Sequence, residues 1–283
     1  MSSETRTQCG FVEVGTARLY LEAWGAAGAP VLLCLHGLGG GTHFFGALGV
    51  HLAGHCRTIA IDLPGSGLSP KLTGAPPAFS FDPVADLLVT VARTEHARGP
   101  AVCLLGHSMG AILALEMIRR SQELAVGLIV VGGLPEALPS ARRRLRDRIA
   151  AIRERGIATV SPDVAAANFS RRSQSERPEL TACFAKLFAG QDAGAYADTA
   201  SALVAWTARE LPPLDRVSCL AITGDEDRYA PPDAIRAFAR TLPAATPVEI
   251  MRDCGHLPFL ERPAAFAAIV SAFLRERCRD CGS

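Results

Sequence analysis

Short, mostly apolar runs recur along the chain, each closed by glycine, histidine or aspartate. Val31-Leu32-Leu33-Cys34-Leu35 ends at His36-Gly37, and Arg57-Thr58-Ile59-Ala60-Ile61 ends at Asp62. Ala101–Leu105 ends at Gly106, Ala125–Val131 at Gly132-Gly133, and Cys219–Thr223 at Gly224. Val248-Glu249-Ile250-Met251 is the last such run. Strands apolar on both faces belong in the interior of a parallel sheet. Helical spacing fills the intervals. Asp82–Ala97 has an N-cap aspartate, Pro83 in its first turn and Val84, Leu87, Leu88 and Val91 on one face. Phe44–Leu52, Ala111–Ile118, Pro232–Leu242 and Pro263–Arg277 read as further helices. Alternating strand and helix predicts an α/β fold: a mostly parallel central sheet with helices on both faces. Phe11–Trp24 alternates weakly around Gly15, which predicts an antiparallel hairpin at a sheet edge.

The rhythm breaks at Glu136, and no strand pattern returns until after Pro213. Helices are expected from Ser140 to Arg155 (stopped by Gly156), from Ser161-Pro162, from Glu176 to Ala189 and from Ala195 to Glu210. The expected organisation is a core of residues 1–135 and 214–283, with residues 136–213 inserted as a helical lid over the sheet's upper edge.

Composition narrows the partners. The 283 residues are 49% hydrophobic, enough for a sizeable core. A net charge of +1 gives no reason to expect nucleic acid. The nine cysteines are odd in number and irregularly spaced, which argues against a disulfide framework. Cys278 and Cys281 form a terminal CxxC pair that reads as incidental. Met1–Gly10 is polar and lacks the apolar core of a signal peptide. No apolar run reaches membrane-spanning length. The expectation is a cytoplasmic protein with no membrane partner. A homo-oligomer through an exposed lid face is left open, and nothing requires it.

The chemistry centres on Gly106-His107-Ser108-Met109-Gly110, set between an apolar strand and a helix. A serine at such a turn projects its hydroxyl from the top of a sheet, beside a helix N-terminus. A serine hydroxyl is a weak nucleophile and needs a base, itself oriented by an acid. Of the seven histidines, only His107 and His256 lie at or beyond the elbow. His107 is expected to point away from Ser108, which leaves His256, after the last strand, as the base. Gly224-Asp225-Glu226-Asp227 offers the acid; Asp227 is favoured over Asp225 for lying further into the loop, and Glu136 is a third candidate. Two backbone N–H donors must face the oxyanion. Met109 and Leu38 supply them, the latter after His36-Gly37 and before glycines 39–41. His36 reads as structural.

With these pieces in place, the chain resembles α/β-hydrolase-fold enzymes from about Val31 to Arg277. The resemblance rests on Leu35-His36-Gly37-Leu38-Gly39-Gly40, Asp62-Leu63-Pro64-Gly65-Ser66-Gly67-Leu68-Ser69, the serine elbow, Gly224–Asp227 and Gly255–Pro263. It places the acid three residues after Gly224, at Asp227. The lid stretches Arg148–Ala158 and Tyr196–Leu203 are similar to those of 3-oxoadipate enol-lactonases, although Trp206 stands where many such proteins have an acidic residue. The resemblance implies a serine hydrolase of a small carboxylic ester or lactone. Carbon–carbon bond hydrolysis or perhydrolysis on the same triad, or a non-catalytic ligand-binding role, are the alternatives. Seven of the lid's arginines crowd its first expected helix, at 142, 143, 144, 146, 148, 153 and 155. Most must face water; one or two facing the pocket would favour an anionic substrate. No cofactor is implied, and the scattered His43, His51 and His55 do not suggest a metal site.

Overall fold

The computed structural model describes residues 7–72, 79–96, 102–244 and 246–277. Cys278 and Cys281 lie outside them. The strands are β1 (Gln8–Val14), β2 (Ala17–Trp24), β3 (Val31–Leu35), β4 (Arg57–Ile61), β5 (Val102–His107), β6 (Gly127–Val131), β7 (Ser218–Gly224) and β8 (Val248–Met251). They form one eight-stranded sheet in the order β1-β2-β4-β3-β5-β6-β7-β8. The hairpin β1–β2 joins β4 antiparallel, and every later pairing is parallel. The runs read as doubly apolar are buried throughout: every residue of β3, β4, β5 and β6 is inaccessible.

The core helices are α1 (Gly46–Leu52), α2 (Phe81–His96) and α3 (Met109–Arg120). Between β6 and β7 lie α4 (Pro139–Arg155), α5 (Ser161–Asn168), α6 (Arg171–Glu176), α7 (Pro178–Ala189) and α8 (Ala193–Ala205). After β7 come α9 (Pro232–Ala239), α10 (Pro258–Glu261) and α11 (Pro263–Arg277). Helix α2 packs on α3, and α1 on α11, so both faces of the sheet are covered. No helix among the described residues is long and apolar enough to cross a membrane.

Several boundaries differ from expectation. Helix α2 begins at Phe81, so Asp82 lies inside its first turn rather than capping it. Its carboxylate instead receives Arg209 and Arg120, and these, Arg209 first, outweigh burial and hold its pKa down at about 2. The helix expected from Glu176 to Ala189 begins at Pro178 as α7, and the short α6 before it, capped by the Ser170 hydroxyl, is an additional helix. The helix expected to reach Glu210 stops at Ala205. There the Trp206 indole leaves the helix, packs on Phe81 and donates to the Pro135 carbonyl at 3.0 Å.

The topology gathers the chemistry. In parallel strands the carboxyl ends share one edge, where ligands bind in open α/β sheets. Leu35 pairs with Gly106, His107 with Val131, and Gly224 with Met251. The loops bearing Leu38, Ser108, Asp227 and His256 all leave that edge.

Candidate active site

Strand β5 turns directly into α3 at Ser108. The Ser108 amide donates to the Val131 carbonyl at 2.9 Å, and its own carbonyl accepts from Ala111 at 3.0 Å. The residue is held at φ 53°, ψ −117°. Such a conformation costs a non-glycine residue about 1–3 kcal/mol and persists only where the surroundings impose it. The flanking glycines are what impose it. A Cβ on Gly106 would sit 2.5 Å from the Ala111 Cα, and one on Gly110 would drive into the Leu35 carbonyl. Met109 opens α3, so its N–H belongs to the first turn, whose amides have no helical acceptor.

The loop after β3 closes on the elbow from the other side. A Cβ on Gly37 would come 2.8 Å from the Ser108 Cβ, so the loop can approach this closely only without a side chain. Leu38 lines the same cavity as Ser108. His36 is structural, as expected. Its Nδ1–H donates to the Gly37 carbonyl at 2.7 Å, and its Nε2 accepts from the Leu63 amide at 2.9 Å. The Leu63 bond requires a bare Nε2 and so the neutral ring, and burial, outweighing the Gly37 bond, pushes its pKa down to about 4. Gln191 adds a contact from the inserted helices, donating to the Gly39 carbonyl at 2.6 Å.

Asp227 and His256 meet. His256 Nδ1 lies 2.7 Å from Asp227 Oδ2, and both side chains are buried. The other carboxylate oxygen accepts the Tyr229 and Ala230 amides at 2.8 and 2.9 Å. Burial alone would push the Asp227 carboxyl up; the facing His256 ring and these bonds outweigh it and hold it below the usual range. An ionised carboxylate at Nδ1 keeps the proton there and leaves Nε2 bare, the state a general base needs.

The other candidates are occupied elsewhere. Asp225 accepts the Cys254 amide at 3.1 Å, supporting the histidine loop from outside. Glu136 accepts the Ala208 amide at 2.7 Å and pairs with Arg142 at 3.3 Å. His107 tethers the histidine loop: its Nε2–H donates to the His256 carbonyl at 3.0 Å, with the rings 4.7 Å apart. Burial holds His107 well below its ordinary pKa.

Sequence reasoning missed four contributors. The Asn168 carbonyl, at the end of α5, accepts the His256 amide at 2.8 Å. Glu261, fully buried in α10, accepts Gly255 N–H at 2.7 Å on one oxygen and Ser170 N–H at 2.9 Å on the other. The Tyr229 ring packs against His256, with centroids 4.7 Å apart and planes tilted by 48°. Gly132 backs the Asp227–His256 pair so closely that a Cβ would lie 2.9 Å from the carboxylate. The Gly132-Gly133 doublet closing a strand was a readable signal; the others depend on tertiary contact.

Two small cavities flank Ser108, each of about 60 Å³. The first is lined by Leu38, Ser108, His256, Phe184, Arg144 and Arg148, among others. The second is mainly apolar, with Ile112, Leu134 and Leu203, and has Glu136 at its edge. Each is well below the roughly 300–1,000 Å³ of ordinary ligand clefts.

A family model described as alpha/beta hydrolase family matches residues 32–269. The chain belongs to the alpha/beta hydrolase family. Among its relatives is the pimeloyl-[acyl-carrier protein] methyl ester esterase of Aeromonas salmonicida, 27% identical over 87% of this chain and 95% of that protein. Protein PHYLLO of Arabidopsis thaliana is 32% identical over 42% of this chain, which spans only 7% of its length. The magnesium-chelatase 30 kDa subunit of Rhodobacter capsulatus is 35% identical over 37% of this chain, which spans 35% of its length. The enol-lactonase of Burkholderia xenovorans LB400 shares the fold with a TM-score of 0.84 at 21% identity, over 94% of this chain and all of that one.

Proposed function

We propose that this hydrolase cleaves a carboxylic ester or lactone of a small molecule through an acyl-enzyme. Ser108 attacks the carbonyl carbon. His256 takes the serine proton at Nε2 and returns it to the leaving oxygen, while Asp227 orients the ring. The N–H groups of Leu38 and Met109 hold the oxyanion, and residues 136–213 act as a lid. Water, activated by His256, then releases the acid. The observation that carries this reading is the 2.7 Å Asp227–His256 bond beside a cavity that Ser108 and His256 both line. The name of the pimeloyl methyl ester esterase, a relative across most of this chain, describes the same bond type. The small cavities favour short substrates.

The test is covalent labelling with a fluorophosphonate, read by intact mass, on wild type and Ser108→Ala. A panel of short and long aryl esters, neutral lactones and 3-oxoadipate enol-lactone runs beside it. Labelling of wild type alone, with kcat/KM at least about a thousandfold lower in the variant, is expected. Wild-type turnover in Ser108→Ala would sink the reading. Aryl-ester turnover without lactone turnover would retain the mechanism and discard the lactonase assignment.

A further inference from the structure

The seven arginines of α4 are not alike. Arg143, Arg146, Arg153 and Arg155 are exposed. Arg142 pairs with Glu136 and donates to the Val204 and Trp206 carbonyls. Arg144 lies at the cavity's rim, against the Arg228 carbonyl and the Tyr229 ring. Arg148 differs from all of them. It turns inward to line the cavity that holds Ser108 and His256. Its polar partners are two neutral hydroxyls, Tyr196 and Tyr229, each at 3.0 Å.

No carboxylate among the described residues lies within 4.0 Å of Arg148, and no Asp or Glu lines this cavity. A half-buried cation without a counter-ion is costly, because burial removes water and nothing replaces it. The two tyrosines accept from two of the guanidinium's five N–H donors, leaving three. Each tyrosine keeps its own hydroxyl proton to donate. Arg148 and Tyr229 line the small cavity that also holds Ser108, while Tyr196 holds the guanidinium without lining it. A guanidinium fork matches the two coplanar oxygens of a carboxylate.

We propose that Arg148, with Tyr196 and Tyr229, is the receptor for a carboxylate carried by the substrate, so that the preferred ester or lactone is an anion. This deepens the serine-hydrolase reading and rests on it for the bond cleaved. Tyr229 also joins the receptor to the triad. Its ring packs on His256 and its amide holds Asp227, so an anion on Arg148 seats against the element that positions the base.

The experiment compares mono-aryl esters of succinate, glutarate and adipate with the same esters carrying a primary amide in place of the free acid, spontaneous hydrolysis subtracted. For the best chain length the acid form is expected to show kcat/KM about ten- to a hundredfold higher. That ratio should collapse toward one in Arg148→Met and fall partway in Arg148→Lys, which keeps the stem and charge should the methionine variant not fold. Equal kcat/KM for acid and amide in wild type, or a ratio that survives in both variants, overturns the proposal. Calorimetry of the free diacids against their diamides, in a Ser108→Ala background with and without Arg148→Lys, separates the two readings. Diacid binding at least tenfold weaker with lysine supports the receptor even if no ester is turned over and the fluorophosphonate fails to label. Diacid binding that lysine leaves unchanged overturns the receptor while the triad stands.

Discussion

The cavity at Ser108 has two walls of different construction. The sheet wall is set by backbone. A Cβ on Gly37, Gly106, Gly110 or Gly132 would run into Ser108, Ala111, Leu35 or the Asp227–His256 pair respectively, and the catalytic candidates hang from strand ends whose register fixes their spacing. The helical wall is set by side chains: Arg148, Leu145, Phe184 and Val164 face inward from α4, α5 and α7. Backbone packing tolerates almost no substitution, because the hydrogen-bond ladder would have to move. Side-chain packing tolerates exchange, because a neighbour can repack. On the proposed function, the reaction falls to the first wall and the choice of substrate to the second.

The sharpest way to break that division is Asp227→Asn. It preserves shape but favours the wrong histidine tautomer, so kcat should fall about a thousand- to ten-thousandfold with little change in thermal stability. A loss below tenfold, measured on a short aryl ester, would remove Asp227 from the machinery.

Next in size is an acid sensitivity housed in the sheet wall. Burial pushes the His36 pKa from near 6.5 in the unfolded chain to about 4 in the folded one, and the Leu63 N–H at Nε2 needs the neutral ring. Between those values the unfolded chain holds a proton that the folded one refuses. The contribution is complete above about pH 6.5 and is lost as pH falls toward 4, by about 1.4 kcal/mol per unit and about 3 kcal/mol in all. Burial depresses His43 and His107 as well, with the same sign. Urea unfolding at pH 7.5 and pH 5 should show the midpoint falling; equal midpoints would contradict it.

Glu261 is where the walls are sewn together, through Gly255 on one side and Ser170 on the other. Glu261→Gln sets an amide NH2 against a backbone donor and should cost about 1–3 kcal/mol. Because His256 rides on the same loop, kcat should fall with it. A lower Tm with unchanged kcat would show that the seam holds the walls together without positioning the base.

The smallest effect sharpens the comparison within the helical wall. Arg143→Ala and Arg146→Ala, both exposed on α4, should move stability by no more than about 0.5 kcal/mol. They should leave the acid-to-amide selectivity ratio intact, in contrast to Arg148.

Much of the sheet wall was legible. Apolar runs closed by glycine or a polar residue located the strands, because a strand buried on both faces cannot carry polar residues in its interior. The serine elbow located the edge at which chemistry could occur. Loop position and resemblance favour Asp227 over Asp225; in the structure Asp227 meets His256 and Asp225 accepts the Cys254 amide. The inserted helices were less legible. The six-residue α6 is entirely polar and offers no apolar period to read, and the last helix is shorter than its pattern suggests because Trp206 leaves it for contacts distant in the chain. Periodicity shows which face of a helix is apolar, but seven arginines on or near one helix look equivalent until the partner surface is known.

By itself, then, the sequence determined the alternation of strand and helix, the place of the serine and the order in which acid and base follow it. These are local properties, written in spacing and in glycines that only a close approach explains. Only the tertiary structure decided that Arg148 faces inward without a counter-ion, that Glu261 and Asn168 hold the histidine loop, and that Glu136 is committed to the base of the inserted helices. Each depends on residues far apart in the chain meeting across a packed boundary. Charge and burial at such a boundary are properties of the pair and appear in neither segment alone.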